Sequence, residues 1–290
     1  MTEFVFPPIA DLLRQQGIWL SKHKSQHFLR NAGVCAQIAD VAGLSAAHVA
    51  LEIGAGAGNL TVELARRAGD VLAIEMDRAF AEWHTELQGR FENLTIEYAD
   101  FLKTDLDSLP GRFPGRPLVA VGNLPYQITA PILFKIVESG VPFERLVFMV
   151  QREVAERIVT GVPGRRASAL TYKLAFLYNT RIAMKLGPNE FLPPPKVNSA
   201  VVVLEPRPDS LLRDNAHRVR AFRVVHQIFQ HRRRSLANAM SLGLLTPTRQ
   251  DAEAVLTAAS VDPGRRAETL SLEEIVAIEA ALSEFVSTRG

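Results

Sequence analysis

The segment VGNLPYQITA, residues 121–130, ends an apolar run with a carboxamide, a rigid ring and an aromatic. Asn123 contributes a side-chain carbonyl and Leu124 a backbone carbonyl, two acceptors near enough in sequence to take both hydrogens of one exocyclic amine. An amine of this kind on adenine is a poor nucleophile, because its lone pair is delocalised into the ring. Two fixed acceptors draw it toward tetrahedral geometry and ready it for in-line attack on a sulfonium methyl. Pro125 stiffens the turn, so the acceptors are placed before a substrate arrives. Tyr126 offers a face on which a flipped base can stack. No strong general base is required, since the methylated amine is acidic enough to lose its proton to water. Taken alone, the same four residues also describe a proline turn with an Asn cap and a half-buried Tyr.

A second constellation lies upstream. In LEIGAGAGNLT, Gly54, Gly56 and Gly58 follow a strand-like run and lead into a helix-like one, so backbone amides and a helix N-terminus can face a ligand at close range. A dinucleotide fingerprint would carry Gly or Ala where Asn59 stands. The loop therefore reads as the methyltransferase form of a nucleoside site. Glu75 ends the next apolar run about twenty residues on, where doubly wound folds place a carboxylate on ribose hydroxyls, and Met76 follows it. Asp100, after a third run, is suited to accept from an adenine amine, with Phe101 along the ring.

These residues need a scaffold that sets them side by side. Apolar runs at 48–53, 70–75, 94–98, 117–123 and 145–151 alternate with amphipathic segments. That alternation predicts a parallel sheet covered on both faces, a Rossmann-like α/β fold. RIAMKL (181–186) and VNSAVVVLEP (197–206) read as an antiparallel pair closing one edge. Composition changes at EPRPDS, and every later segment reads helical, which predicts a catalytic domain over 1–206 and a small helical domain over 207–290. In the second, apolar residues recur at helical spacing from Arg218 to Met240, and Ser271 with Glu274 forms a capping box. Asn123 then stands at the C-terminal end of the fourth strand, where open α/β sheets bind ligands.

Bulk properties exclude several classes. The 290 residues are 47% hydrophobic, enough for one large core and a small second one. A lone cysteine, Cys35, can build neither a disulfide nor a thiolate zinc cluster. His23, His27, His217, His226 and His231 show no metal-ligand spacing, so no metal is expected. No apolar run approaches the roughly 20 residues that cross a bilayer, and no signal-peptide pattern opens the chain, so a cytoplasmic location is expected. The net charge of +2 is a weak indicator of a nucleic-acid partner. Its distribution is more telling: Lys22, Lys24 and Arg30 crowd one end, and nine arginines between Arg207 and Arg249 face only Asp209 and Asp214.

Eight blocks in order resemble the ribosomal RNA adenine dimethyltransferases, in particular the branch that modifies the small subunit: SQHFLRN, LEIGAGAGNLT, AIEMDR, YADFLK, GNLPYQIT, MVQREVAERIV, FLPPPKVNSAVV and FQHRRRSLANAM. The resemblance spans nearly the whole chain. It implies a Rossmann-like S-adenosylmethionine-dependent methyltransferase fold with a mostly parallel seven-stranded sheet and a helical C-terminal domain. It places cofactor contacts at Gln26, His27, Leu29, Gly54, Gly56, Gly58, Glu75, Met76, Asp100, Phe101 and Asn123. The base-stacking pair falls on Tyr126 and on Phe191, which precedes the extended connector PPP at 193–195. His27, Gln127 and Thr129 replace residues usual in the family, and GRRASALTYK (164–173) is more basic than the usual sequence.

The activity implied is dimethylation of N6 on two adjacent adenines in the 3′-terminal hairpin loop of small-subunit rRNA, on a late pre-30S particle, by a monomer. Lys22, Lys24, Arg232, Arg233 and Arg234 are expected to contact RNA phosphates, with HRRRS inside a long helix; the bland alternative is a solvated face, or Arg233 packed inward. Three other readings stand beside this one. A large-subunit rRNA adenine methyltransferase shares the loop and turn, whereas NLPY, PPPKVNSAVV and HRRRSLANAM favour the small-subunit branch. A binding factor could keep the pocket without chemistry, although the intact turn argues against that. A nicotinamide dehydrogenase is disfavoured by Asn59.

Overall fold

The computed structural model describes residues 4–18 and 27–288. Gln26, Lys22 and Lys24 therefore lie outside the described residues. The chain forms two compact units: the first runs to Glu156 and resumes over Thr180–Pro206, and the second takes Arg157–Asn179 and everything from Arg207.

In the first unit, α1 (Ile9–Gln15), β1 (Phe28–Leu29) and α2 (Ala32–Ala42) precede the alternating core. There follow β2 (Val49–Ile53), α3 (Asn59–Ala65), β3 (Asp70–Glu75), α4 (Ala81–Arg90), β4 (Leu94–Tyr98), α5 (Leu109–Arg112), β5 (Leu118–Asn123), α6 (Thr129–Ser139) and β6 (Phe143–Gln151). Helix α7 (Arg152–Thr160) and, in the second unit, α8 (Ala169–Leu177) lead to β7 (Tyr178–Leu186), β8 (Phe191–Leu192) and β9 (Ser199–Pro206). Seven strands form one sheet in the order β4-β3-β2-β5-β6-β9-β7. Strands β2 to β6 pair in parallel, and β9 runs antiparallel to β6, from Leu146 opposite Leu204 to Gln151 opposite Ser199. All five residues of β2 are buried, as a strand covered on both faces requires.

The order reverses between β2 and β5, so the crevice beyond their C-terminal ends is the ligand position of a doubly wound sheet. A small second sheet has no counterpart in the sequence pattern: β1 pairs with β8, Phe28 opposite Leu192 and Leu29 opposite Phe191. Two-residue strands carry too little periodicity to be read from sequence.

The second unit is helical, with α8, α9 (Asn215–Gln230), α10 (Leu236–Leu242), α11 (Arg249–Ala258) and α12 (Leu272–Ser287). The composition change at Pro206 assigned 157–179 to the first domain, whereas here that segment clusters with the tail helices. Tyr172 of α8 explains why: it is fully buried, lies against Phe229 at 5.1 Å between ring centres, and donates its hydroxyl to the Leu270 carbonyl at 2.5 Å. The capping box of α12 is present, Glu274 N donating to Ser271 Oγ at 3.2 Å and Ser271 N to Glu274 Oε2 at 2.7 Å.

One helix expectation is corrected. HRRRS does not lie inside a long helix; α9 stops at Gln230, residues 231–234 form a turn closed by Arg234 N to the His231 carbonyl at 2.8 Å, and α10 restarts at Leu236. The break frees the Leu236 and Ala237 N–H groups to donate to the Arg265 and Pro263 carbonyls at 2.8 and 3.2 Å, bonds that an unbroken helix would direct to residues 232 and 233.

Candidate active site

A cavity of about 570 Å³ opens at the C-terminal ends of the parallel strands, within the range typical of small-molecule sites. Of the residues singled out above, His27, Gly54, Gly56, Glu75, Met76, Asp100, Phe101, Asn123, Leu124, Pro125 and Tyr126 line it. Gly58, Leu29 and Phe191 do not.

The glycine loop takes its shape from backbone torsions that only glycine adopts readily: φ is +83° at Gly54, +55° at Gly56 and +88° at Gly58. At Gly58 space is short as well, since a Cβ there would sit 2.6 Å from Cδ1 of the buried Leu87, which would have to shift. Glu75 braces the loop from inside, one carboxylate oxygen accepting from Gly56 N at 2.8 Å and the other from Asp77 N at 2.7 Å. From behind, α4 supplies two consecutive ring donors. Trp83 Nε1 donates to the Ala57 carbonyl at 2.8 Å, and His84 Nε2 lies 2.9 Å from the Gly56 carbonyl. A carbonyl can only accept, so His84 carries its proton on Nε2, and its Nδ1 accepts from the Tyr98 hydroxyl at 2.6 Å. Burial lowers the His84 pKa, which keeps this neutral tautomer in place, the bond to Gly56 opposing the shift.

These groups fit a nucleoside with a charged sulfonium side chain. Each Glu75 oxygen has one backbone donor and room for a second, the demand of two ribose hydroxyls. Asp100 uses Oδ1 to cap the turn at Phe101–Lys103 by accepting from Leu102 N at 3.0 Å, and among the described residues Oδ2 meets only the outlying Lys103 ammonium at 3.9 Å. Met76 is 70% exposed beside the cavity, an apolar side chain left open where a flat ring could cover it.

At the catalytic turn, Asn123 Nδ2 donates to the His27 carbonyl at 2.8 Å. Because that partner can only accept, the amide orientation is set, and among the described residues Oδ1 meets no donor and is left as the acceptor. The Pro125 carbonyl takes both Ile128 N at 3.1 Å and Thr129 Oγ1 at 3.0 Å. Thr129 thus closes the turn, and the Leu124 N–H is tied to the Met149 carbonyl at 3.1 Å. Tyr126 is held by its hydroxyl, 2.7 Å from Ser199 Oγ, and burial raises its pKa, against the effect of the Ser199 bond. Its ring faces His27 at 5.8 Å between centres and 29° between planes, and His27 Nδ1 donates to the Pro193 carbonyl at 2.7 Å.

Leu29 and Phe191 lie behind these residues. Phe191 is 1% exposed, paired with Leu29 and packed in the core with Phe28, so its ring is a support of the cavity wall in this conformation. In the second unit, Arg233 and Arg234 are exposed, and Arg232 is partly buried with its guanidinium on the Arg165 carbonyl at 3.3 Å.

Sequence reasoning missed His84, Trp83, Ser199 and the positive role of Asn59. Asn59 Nδ2 donates to the Leu29 carbonyl and lies 3.4 Å from Cys35 Sγ, which ties β1 and α2 to the glycine loop. Buried ring nitrogens on an amphipathic helix were the available signal for α4, since such groups must find acceptors.

Comparison with known proteins agrees with this geometry. The ribosomal RNA adenine dimethylase family pattern matches residues 20–282. The Ribosomal RNA small subunit methyltransferase A of Alkaliphilus oremlandii (strain OhILAs) is 35% identical over 268 residues, 91% of this chain and 92% of that protein. Among solved structures, a dimethyladenosine transferase from Plasmodium falciparum superposes with a TM-score of 0.70 at 25% identity, covering 90% of this chain and 98% of that one. The 23S rRNA methyltransferase ErmE superposes with a TM-score of 0.64 at 29% identity, covering 88% and 99%. A glycine loop braced by Glu75, an Asn123 with its acceptor turned free and a match over nine-tenths of the chain lead to one conclusion: this chain belongs to the ribosomal RNA adenine dimethylase family, whose members are S-adenosylmethionine-dependent methyltransferases acting on rRNA adenine.

Proposed function

We propose that the chain dimethylates N6 of two adjacent adenines in the 3′-terminal hairpin loop of small-subunit rRNA, with a late pre-30S particle as substrate. The observation that carries the reading is the orientation of Asn123: its Nδ2 is occupied by the His27 carbonyl, so Oδ1 and the Leu124 carbonyl remain for the two hydrogens of one amine. S-adenosylmethionine, when bound, supplies the methyl group. The chain's own residues do the rest. Glu75, Asp100, Met76 and Phe101 hold the nucleoside; Asn123 and Leu124 draw the target amine toward tetrahedral geometry; Tyr126 stacks on the flipped base, with Phe191 behind the wall. Lys22, Lys24, Arg232, Arg233 and Arg234 are assigned to RNA, and the protein acts as a cytoplasmic monomer. The small-subunit branch is supported by the names of the relatives matched over most of the chain.

The test uses small ribosomal subunits from cells lacking this modification, incubated with the protein and methyl-labelled S-adenosylmethionine, with the labelled nucleoside identified by mass spectrometry. Dimethyladenosine at two adjacent positions near the 3′ end is expected. Label on large-subunit RNA alone would move the protein to the other branch, and no label with the cofactor still bound would make it a binding factor.

A further inference from the structure

The sequence singles out GRRAS at 164–168 as unusually basic, and HRRRS lies some 67 residues further along the chain. The fold brings the two runs together. The Arg232 guanidinium donates to the Arg165 backbone carbonyl at 3.3 Å, Gly164 N donates to the Glu268 carbonyl at 3.0 Å, and Ala167 N closes back on the Gly164 carbonyl at 2.8 Å. The loop backbone is therefore tied on both sides within the helical unit, while the side chains of Arg165 and Arg166 are exposed, as are those of Arg233 and Arg234.

Five arginines in two short runs meet here, which no other place in the unit's sequence matches. Four arginines elsewhere in the unit sit on carboxylates: Arg207 on Asp209 at 2.9 Å, Arg220 on Glu279 at 2.5 Å, Arg249 on Glu253 at 3.0 Å and Arg265 on Glu274 at 2.5 Å. Among the described residues, none of Arg165, Arg166, Arg232, Arg233 and Arg234 makes an ion pair. Holding like charges together on a tethered loop opposes their repulsion, a cost that an anion removes by binding across them. Arginine's planar fork suits the oxygens of a phosphodiester, and the spread over two chain segments suits a polyanion better than a single small anion.

We propose that Arg165 and Arg166 join Arg232, Arg233 and Arg234 in one phosphate-binding surface for an RNA backbone, the bond from Arg232 to the Arg165 carbonyl also holding the GRRAS loop in place. This rests on the rRNA reading above and extends it to Arg165 and Arg166, which that reading leaves unassigned. Removing one arginine–phosphate pairing lowers the slope of log affinity against log salt by about 0.7 to 0.9.

The experiment compares wild type with Arg165→Ala/Arg166→Ala and Arg165→Lys/Arg166→Lys on two probes, unmodified small subunits and a short RNA hairpin of unrelated sequence, over about 50 to about 200 mM salt. The double Ala variant is expected to lower the slope by about 1.4 to 1.8 on both probes. The double Lys variant should restore it, and cofactor binding by calorimetry should be unchanged in both. An unchanged slope for the double Ala variant on the hairpin, with methyl label still reaching the small subunit, overturns the surface alone. Lys failing to restore the slope also overturns it, since the loss would then come from packing. No label on the small subunit, with the slope difference intact on the hairpin, overturns the small-subunit reading and leaves the surface standing.

Discussion

The side-chain nitrogen of Asn123 lies 2.8 Å from the backbone carbonyl of His27, so the residue that ends β5 is oriented by the residue just before β1. The contact joins the substrate end of the pocket to the segment expected to hold the cofactor. The task falls to the His27 backbone carbonyl, so it does not depend on which side chain that position carries.

Replacing Asn123 with Ala removes the free acceptor and leaves Glu75 and the glycine loop intact. Single-turnover methyl transfer should fall by about 10² to 10³, the scale seen when one preorganised hydrogen-bonding group is lost from a transition state. Cofactor affinity by calorimetry should stay within a few fold. Near-normal turnover would rule out the acceptor role.

Glu75→Ala should weaken cofactor binding about tenfold to a hundredfold, since hydrogen bonds to a carboxylate contribute about 1.5–3 kcal/mol and the Gly56 brace is lost with them. Glu75→Gln keeps one acceptor but sets an amide N–H₂ against one of two backbone N–H groups, so it should fall between wild type and Ala. Calorimetric dissociation constants that rank otherwise would remove Glu75 from the ribose.

His84→Phe keeps an aromatic ring, larger than imidazole, and leaves the Gly56 carbonyl and the Tyr98 hydroxyl without their partner. Unsatisfied buried groups cost about 1–3 kcal/mol, and the loop they distort binds cofactor rather than base. The KM for S-adenosylmethionine should rise with kcat little changed; equal loss of kcat and kcat/KM would place His84 in the chemistry instead.

Glu52 in β2 is 1% exposed, and among the described residues neither carboxylate oxygen has a partner in full hydrogen-bonding geometry, the Thr61 hydroxyl being the nearby donor. Burial pushes its pKa up to about 8 from 4.5, a shift the charge of Glu75 adds to and Thr61 opposes. The folded state thus holds a proton that the unfolded chain releases above its own lower pKa. This contribution to stability is fully present below pH 4.5 and is lost as pH rises through about 8. Glu52→Gln should flatten that decline in denaturant unfolding between those limits. An identical pH dependence in the variant would show that another group titrates.

Much of the scaffold was legible because burial on both faces writes itself into composition. The runs at 70–75 and 94–98 coincide with β3 and β4, and the others differ from their strands by one to three residues. The capping box at Ser271 was legible for a similar reason, as its two bonds close within four residues. HRRRS misled, because apolar spacing continued in phase across a turn that no Gly or Pro marks. The β1–β8 sheet left no trace, being two residues long in each strand.

By itself, then, the sequence determined the α/β order, the glycine loop, Glu75 at one strand end and Asn123 at another, since each follows from local periodicity or from a turn closed by near neighbours. Only the tertiary structure decided which distant groups meet. Asn123 finds a carbonyl 96 residues away, His84 clamps Gly56 across 28, and Arg232 reaches Arg165 across 67. Such pairings depend on where folded elements pass one another in space. Residue type supplies the donor, and the path of the chain supplies its acceptor.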